Sequence, residues 1–271
     1  MREELKKHFL EQNIEFFSVI SYSDCREINE NIAKREHFTP KSAIVYLLPY
    51  YTGETENISR YAASYDYHIA IREINEGVIR LLREYFPDAS FKGYGDHSPI
   101  DERHAALVLG LGIAGDNGLI INEKYGSYIF VGDIVTDIEP SALGAQAPKP
   151  IARCEGCGVC KTSCPTGILR GEGWDCLSAI TQKKGELTDS EMNLMIENNT
   201  VWGCDLCQIY CPHNLSPEKT PVEFFYKNRI DRLDRQVLDS MDKDEFNRRA
   251  FAWRKRATVE RNIGILEEKC K

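Results

Sequence analysis

A chain of 271 residues, 42% hydrophobic and 28% charged, has enough apolar surface for a real core in one large or two smaller domains, which sets disorder aside for most of it. Its net charge of −8 at pH 7 argues against tight, non-specific nucleic-acid binding over the whole surface, because Lys and Arg neutralising phosphate supply most of that affinity. No run approaches the roughly 20 apolar residues of a membrane span and the start, Met1-Arg-Glu-Glu-Leu5, lacks a secretion-signal core, so no membrane association and a cytoplasmic location are expected.

Leu5, Phe9, Leu10 and Ile14 recur at helical spacing, whereas Ala43-Ile-Val-Tyr-Leu-Leu48, stopped by Pro49, reads as a buried strand. From Asp66 the stripe Tyr67, Ile71, Ile74, Val78, Leu81 or Leu82 and Tyr85 predicts a long helix, ended by Pro87. A strand-like Ser90-Phe-Lys-Gly-Tyr94 comes next, then a helix over 101–109. Two strands, 118–122 and 128–136, are expected to form a hairpin through Lys124-Tyr-Gly-Ser127.

Pro140 to Pro150, with Ala and Gly among three prolines, reads as a linker. The expected organisation is therefore α+β: a mixed α/β domain over 1–145, a cysteine-rich module over 146–220 and a helical extension over 221–271. In the extension Asp242 and Glu245 are spaced as a capping box before Phe246, Ala250, Phe251 and Trp253. The basic stretch Arg248, Arg249, Arg254, Lys255, Arg256 and Arg261 reads as the solvated face of an amphipathic helix, with a local RNA contact as the alternative.

Only Cys25 and Cys270 of the ten cysteines lie outside 154–211, and the others stand at metal-ligand spacings, which suits thiolates in a reducing compartment rather than disulfides. Cys154-Glu-Gly-Cys157-Gly-Val-Cys160-Lys-Thr-Ser-Cys164-Pro165 fits C-x2-C-x2-C-x3-C-P, in which three thiolates converge on one [4Fe–4S] cube and the fourth turns to a second cube. Cys204-Asp-Leu-Cys207-Gln-Ile-Tyr-Cys211-Pro212 keeps C-x2-C-x3-C-P without a nearby first cysteine, and Cys176 supplies the eighth thiolate. The crossed pattern assigns Cys154, Cys157, Cys160 and Cys211 to one cluster, and Cys164, Cys176, Cys204 and Cys207 to the other. Zinc sites seldom use interleaved runs of this kind. Two such clusters make a wire for single electrons, and the preceding domain is expected to bind whatever accepts them.

Three other motifs are weaker. Gly110-Leu-Gly112-Ile-Ala-Gly115 matches G-x-G-x-x-G, but it follows a helix and enters a strand, the reverse of a dinucleotide site. Asp66-Tyr-His68-Ile-Ala-Ile71 begins like D-x-H-x-x-G, by which some corrinoid enzymes ligate cobalt, yet Ile71 replaces the glycine. Asp96-His-Ser-Pro-Ile-Asp-Glu-Arg103 gathers ionisable groups after a strand, where active-site acids sit; alternatively Asp96 or Ser98 caps the next helix.

An ordered set of segments spans nearly the whole chain. It comprises Arg60-Tyr61-Ala-Ala-Ser-Tyr-Asp66-Tyr67-His68, Asp96 through Arg103, Gly112-Ile-Ala-Gly115-Asp-Asn117, Tyr125-Gly-Ser127-Tyr128, Cys154 through Pro165, Cys176-Leu-Ser178, Gly203-Cys-Asp-Leu-Cys-Gln208, Cys211-Pro-His-Asn214 and Arg261-Asn262. Together they resemble the epoxyqueuosine reductases, cobalamin and iron–sulfur enzymes that complete queuosine in tRNA.

The resemblance implies a first domain that binds base-off cobalamin without a protein axial ligand, electrons from a low-potential donor such as a flavodoxin or ferredoxin, and a tRNA substrate. It makes Asp96 the proton donor to the departing epoxide oxygen, and places Arg60, His68, Ser127, Tyr128 and Ser178 among the corrin or substrate contacts. Two departures stand out. The chain ends at Lys271, short of the helical repeats by which longer members grip tRNA, and Asp116 replaces the usual lysine. A family relative acting on another substrate, and a non-catalytic two-cluster carrier, are the alternative readings.

Overall fold

A computed structural model describes residues 1–35, 37–173 and 175–268; Cys270 lies outside the described residues. The chain divides into two compact units, Met1–Pro49 with His68–Glu155, and Tyr50–Tyr67 with the chain from Gly156 onward. Among the described residues no helix is long and apolar enough to cross a membrane.

The first unit runs α1 (Arg2–Glu11), β1 (Phe17–Ser21), α2 (Glu30–Arg35), β2 (Ser42–Pro49), α3 (Tyr67–Tyr85), β3 (Phe91–Tyr94), α4 (Glu102–Val108), β4 (Ile113–Ala114), β5 (Ile120–Ile121), β6 (Ile129–Thr136) and α5 (Pro140–Leu143). Four strands form an antiparallel sheet in the order β1-β2-β6-β3. Every residue of β2 is buried, so its sequence is a continuous apolar run rather than an alternation, because both faces of the strand are covered. Ala43, Val45 and Leu47 join Ile20 and Val135 against Ala105, Ala106 and Val108 of α4. On the opposite face the ring of Tyr46 stands 5.3 Å from that of Phe9, and its hydroxyl donates to Asn75 Oδ1 of α3 at 3.0 Å. Gly132, paired with Tyr46 in β6, leaves room for that ring; a Cβ there falls 2.3 Å from it.

The expected helices and the strands 43–48 and 90–94 are present, with small shifts at their ends. The expected hairpin is not. β5 pairs with β4 in a small separate sheet, while β6 pairs with β2 and β3 in the large one. The Asn122 side chain explains the break: its carbonyl accepts from the backbone N–H groups of Lys124 and Tyr125, its amide donates to Leu111 O, and it closes a tight turn after which the chain changes sheet. The linker expected over 140–150 is pinned back onto the unit, with Gln146 N–H donating to Val19 O and Lys149 N–H to Val108 O. As expected, the glycine-rich 110–115 segment follows a helix and enters a strand, the reverse of the order in a dinucleotide fingerprint.

The second unit contains α6 (Val159–Thr162), α7 (Leu177–Thr181), α8 (Asp189–Glu197), α9 (Leu206–Ile209), α10 (Arg235–Ser240), α11 (Lys243–Asn247) and α12 (Arg256–Glu268). Its core centres on Trp202, fully buried, with Ile58, Ala62, Leu238, Phe246, Phe251, Val259 and Ile263 around it. This packing differs from the divisions expected at 145 and 220. Residues 50–67 join the second unit because Ile58 and Ala62 bury against Trp202, and the helices beyond 220 share that core rather than forming a separate extension.

Asn262 is buried and ties α12 to Thr181 O and Val201 O. Asp242 caps α11 by accepting from Glu245 N–H at 2.7 Å, as its spacing predicts. The basic stretch is not one solvated helix face. Arg249 is buried, donating to Asn228 O and Glu245, Arg254 stacks 3.8 Å from the centre of the Trp253 ring, and Arg256 and Arg261 staple α12 to its neighbours.

In the first unit β6 carries Asp133 into the apolar layer under α4. The residue is 0% exposed; Oδ2 accepts from the Ser98 hydroxyl at 2.9 Å and Oδ1 has no partner. Burial, opposed by the Ser98 bond and reinforced by Glu102, holds its carboxyl well above the usual carboxylate range. The folded protein keeps a proton that the unfolded chain releases above about pH 4, so this residue subtracts stability as pH rises, by up to about 1.4 kcal/mol per pH unit. Asp133→Asn keeps an acceptor for Ser98 without the ionisation. It is expected to gain thermal stability over the wild type as pH is raised from about 5 to about 8; a difference in melting temperature that stays flat across that range contradicts it.

Candidate functional site

Cys160, Cys164 and Cys211 are buried, Cys204 and Cys207 half-buried, and Cys176 exposed at the start of α7. Burial first, and then the proximity of Cys176, Asp205 and Cys164, pushes the Cys204 thiol up to about 12. Burial, Cys204, Cys176, Asp205 and Cys164 do the same to Cys207. The four thiols that the crossed pattern assigns to one cluster are thus within electrostatic reach of one another. Among the described residues no three His, Cys, Asp or Glu side chains close on the volume of one ion. A [4Fe–4S] cube asks instead for four thiols around a larger body, which suits this set.

At Cys164 burial is outweighed by hydrogen bonding. Backbone N–H groups of Leu169, Thr166 and Gly167, with the Thr166 hydroxyl, favour the thiolate and bring the group below its ordinary value. Gly167, at φ +73°, supplies the left-handed turn that wraps these donors around the sulfur. In the first unit the Asp116 N–H donates to Cys154 Sγ at 3.4 Å.

Asp205 lies between Cys204 and Cys207 and is itself buried. Its carboxylate accepts from the Ser59 hydroxyl, from the Arg60 N–H at 2.7 Å and from the Arg60 guanidinium at 3.3 Å; that guanidinium also pairs with Glu54. Arg60, expected as a cofactor contact, is therefore engaged with the loop that carries two cluster thiols. A cavity of about 80 Å³ opens beside this pair, lined by Ser59, Arg60, Leu177, Thr200, Cys204 and Asp205 among others. Nothing local in the sequence ties Asp205 to Arg60; an acidic residue between two cluster cysteines was the one visible signal. Ser178 sits in α7, where its hydroxyl accepts from Gln182.

Two residues from separate motifs of the first unit meet. His68, near the start of α3, places Nε2 3.5 Å from Asp96 Oδ2, the two side chains being 43% and 52% exposed. Asp96 and His97 both adopt left-handed backbone, at φ 58° and 50°, a costly conformation for non-glycine residues. The cap of α4 is Asp101, which accepts from His104 N–H at 2.9 Å, so neither Asp96 nor Ser98 fills that role. Glu102, in the first turn of α4, is raised by burial and then by Asp96 and Asp101. Ser127 and Tyr128 are buried at the entry to β6.

The thiol arrangement and the sheet define a class: an α+β protein that carries a double iron–sulfur module. The 4Fe-4S double cluster binding domain matches residues 153–214. An epoxyqueuosine reductase of Listeria monocytogenes is 30% identical over 213 residues, 74% of this chain and 54% of that protein. The structure of epoxyqueuosine reductase from Streptococcus thermophilus superposes with a TM-score of 0.78 at 22% identity, covering 98% of this chain and 80% of that one. An epoxyqueuosine reductase solved with an epoxyqueuosine-modified tRNA-Tyr stem loop gives 0.77 at 21% identity, covering 97% and 80%. The chain is thus similar to epoxyqueuosine reductases in sequence and fold, and it spans 54% of the length of the Listeria relative.

Two outcomes test the site. Cys176→Ala is expected to lower bound iron by about half, since one of two clusters loses a ligand, while Cys25→Ala leaves it unchanged; iron analysis of both variants decides. Arg60→Met strands the Asp205 carboxylate in a buried site, a loss of about 3–5 kcal/mol for removing one partner. It should appear as a lower melting temperature and faster bleaching of the cluster absorbance, with Arg60→Lys in between.

Proposed function

We propose that this chain is an oxidoreductase that uses two [4Fe–4S] clusters and base-off cobalamin to reduce epoxyqueuosine to queuosine in tRNA. The observation that carries the reading is the meeting of His68 and Asp96 at 3.5 Å. It is supported by the match of residues 153–214 to the double cluster domain and by the family member solved with an epoxyqueuosine-modified stem loop. In this reading Cys154, Cys157, Cys160 and Cys211 hold one cluster, and Cys164, Cys176, Cys204 and Cys207 the other. Arg60, His68, Ser127, Tyr128 and Ser178 are the corrin or substrate contacts. A flavodoxin or ferredoxin of low potential is the proposed donor.

Ile71 stands where the cobalt-ligating motif needs glycine and is buried in α3, and His68 faces Asp96, so this motif offers cobalt no histidine. Bound, the clusters relay single electrons and the corrin supplies a strongly reducing cobalt centre. Removing an epoxide oxygen to leave an alkene takes two electrons and two protons, and the oxygen departs as water. Asp96 delivers a proton to that oxygen from Oδ2, and His68 orients the carboxyl from 3.5 Å.

Cluster-loaded protein given cobalamin, a reductant and tRNA bearing epoxyqueuosine is expected to form queuosine, read by mass spectrometry of the nucleosides. A base-off cobalamin spectrum without product rejects the tRNA role and leaves a corrinoid reductase of another substrate; no cobalamin spectrum leaves a two-cluster carrier. Asp96→Asn is expected to lower turnover by about 10²-fold or more with iron content and the corrin spectrum intact.

A further inference from the structure

The loop from Gly95 to Asp101 joins β3 to α4 and passes from solvent to core within two residues. Asp96 is about half exposed, whereas Ser98 is buried. The left-handed residues Asp96 and His97 each cost on the order of 1–3 kcal/mol, so something must over-determine the loop for this geometry to persist. Beyond Ser98 the chain is held by backbone: Ile28 N–H donates to Pro99 O at 2.9 Å and Asp101 N–H to Arg26 O at 2.8 Å. At Ser98 itself the partner is Asp133, whose Oδ2 accepts from the serine hydroxyl.

Asp133 is an expensive choice for its position. It stands in register between Val45 of β2 and Tyr94 of β3, in the layer that contains Val45, Val135, Ile100 and Ala105. An apolar residue of similar size packs there without the desolvation of a carboxyl, and Oδ1 gains no hydrogen bond in return. What the carboxyl provides, and a valine does not, is the bond to Ser98, two residues beyond Asp96.

We propose that Asp133 is a positioning residue that, through the Ser98 hydroxyl, latches the strained loop and so holds Asp96 at His68. The proposal rests on the reading of Asp96 as proton donor, and it deepens that reading by naming the buried group that sets its geometry.

Hydrogen exchange of the cluster-loaded protein, without substrate, reads the latch directly. Ser98→Ala and Asp133→Val are each expected to raise exchange at the amides of 96–98 by about tenfold, the equivalent of one lost hydrogen bond, while β2 and α3 stay protected. Asp133→Asn and Ser98→Thr, which keep the acceptor and the hydroxyl, are expected to retain wild-type protection. Turnover should fall in Ser98→Ala in proportion to the latched fraction lost. Unchanged exchange at 96–98, or a rise spread evenly over the sheet, overturns the latch, as does a released loop with full turnover. Asp96→Asn separates the two ideas: retained turnover there removes the donor reading, while the exchange results still decide the latch.

Discussion

The second unit depends on the burial of one carboxylate. Asp205 stands between two cluster thiols, and its negative charge cannot remain in that position without donors, since an unpaired buried carboxylate costs several kcal/mol. The donors come from Ser59 and Arg60, 145 or 146 positions earlier in the chain. The short C-x2-C turn is a local matter, but its seat is not. The clamp ties Tyr50–Tyr67 to the cysteine loop, and Ile58 and Ala62, on the same segment, then bury against Trp202. A buried pair of this kind adds little net stability over an apolar substitute. Its value lies in admitting one arrangement of the loop and penalising others.

Around the thiols two opposing forces are distributed unevenly. Cys204 and Cys207 are dominated by burial and by neighbouring negative groups, which disfavour the thiolate until a cationic cluster offsets them. At Cys164 burial is the largest single influence, but the hydrogen-bond donors together outweigh it and favour the thiolate. Hydrogen bonds to sulfur and local charge are the levers by which a protein sets cluster potential.

What could be read in the sequence was whatever depends on neighbours in the chain. The apolar run of β2, the stripe of α3 and the cap at Asp242 are each set within a few residues, and each appears in the structure; the cysteine spacings fall within the match to the double cluster domain. The failures all involve partners distant in sequence. The strands 118–122 and 128–136 have the composition of a hairpin, but the Asn122 side chain closes the turn and sends β6 to β2, whose eight-residue register offers far more pairing. The arginines of 248–261 have the charge of a solvated face, yet Arg249 is drawn inward by Asn228 O and Glu245. The clamp of Arg60 on Asp205 was not legible because the two lie 145 positions apart. β1 was missed because five residues, Phe-Ser-Val-Ile-Ser, carry no turn signal strong enough to mark a strand.

Around Asp96 the same logic of buried charge works in reverse. Asp96, Glu102 and Asp133 form a series of carboxyls running from half exposed to wholly buried, with Glu102 coupled to each of the other two. Burial raises both Glu102 and Asp133 above their ordinary values, and the neighbouring carboxyls add to it. Asp133 is wholly buried, whereas the Asp96 side chain is 52% exposed. A fully exposed loop carboxyl has no fixed direction, and a helical one lacks the reach that the left-handed turn at Asp96 and His97 gives. The conformation is unfavourable in isolation, and two residues beyond Asp96 the Ser98 hydroxyl is bonded to the buried Asp133 carboxyl.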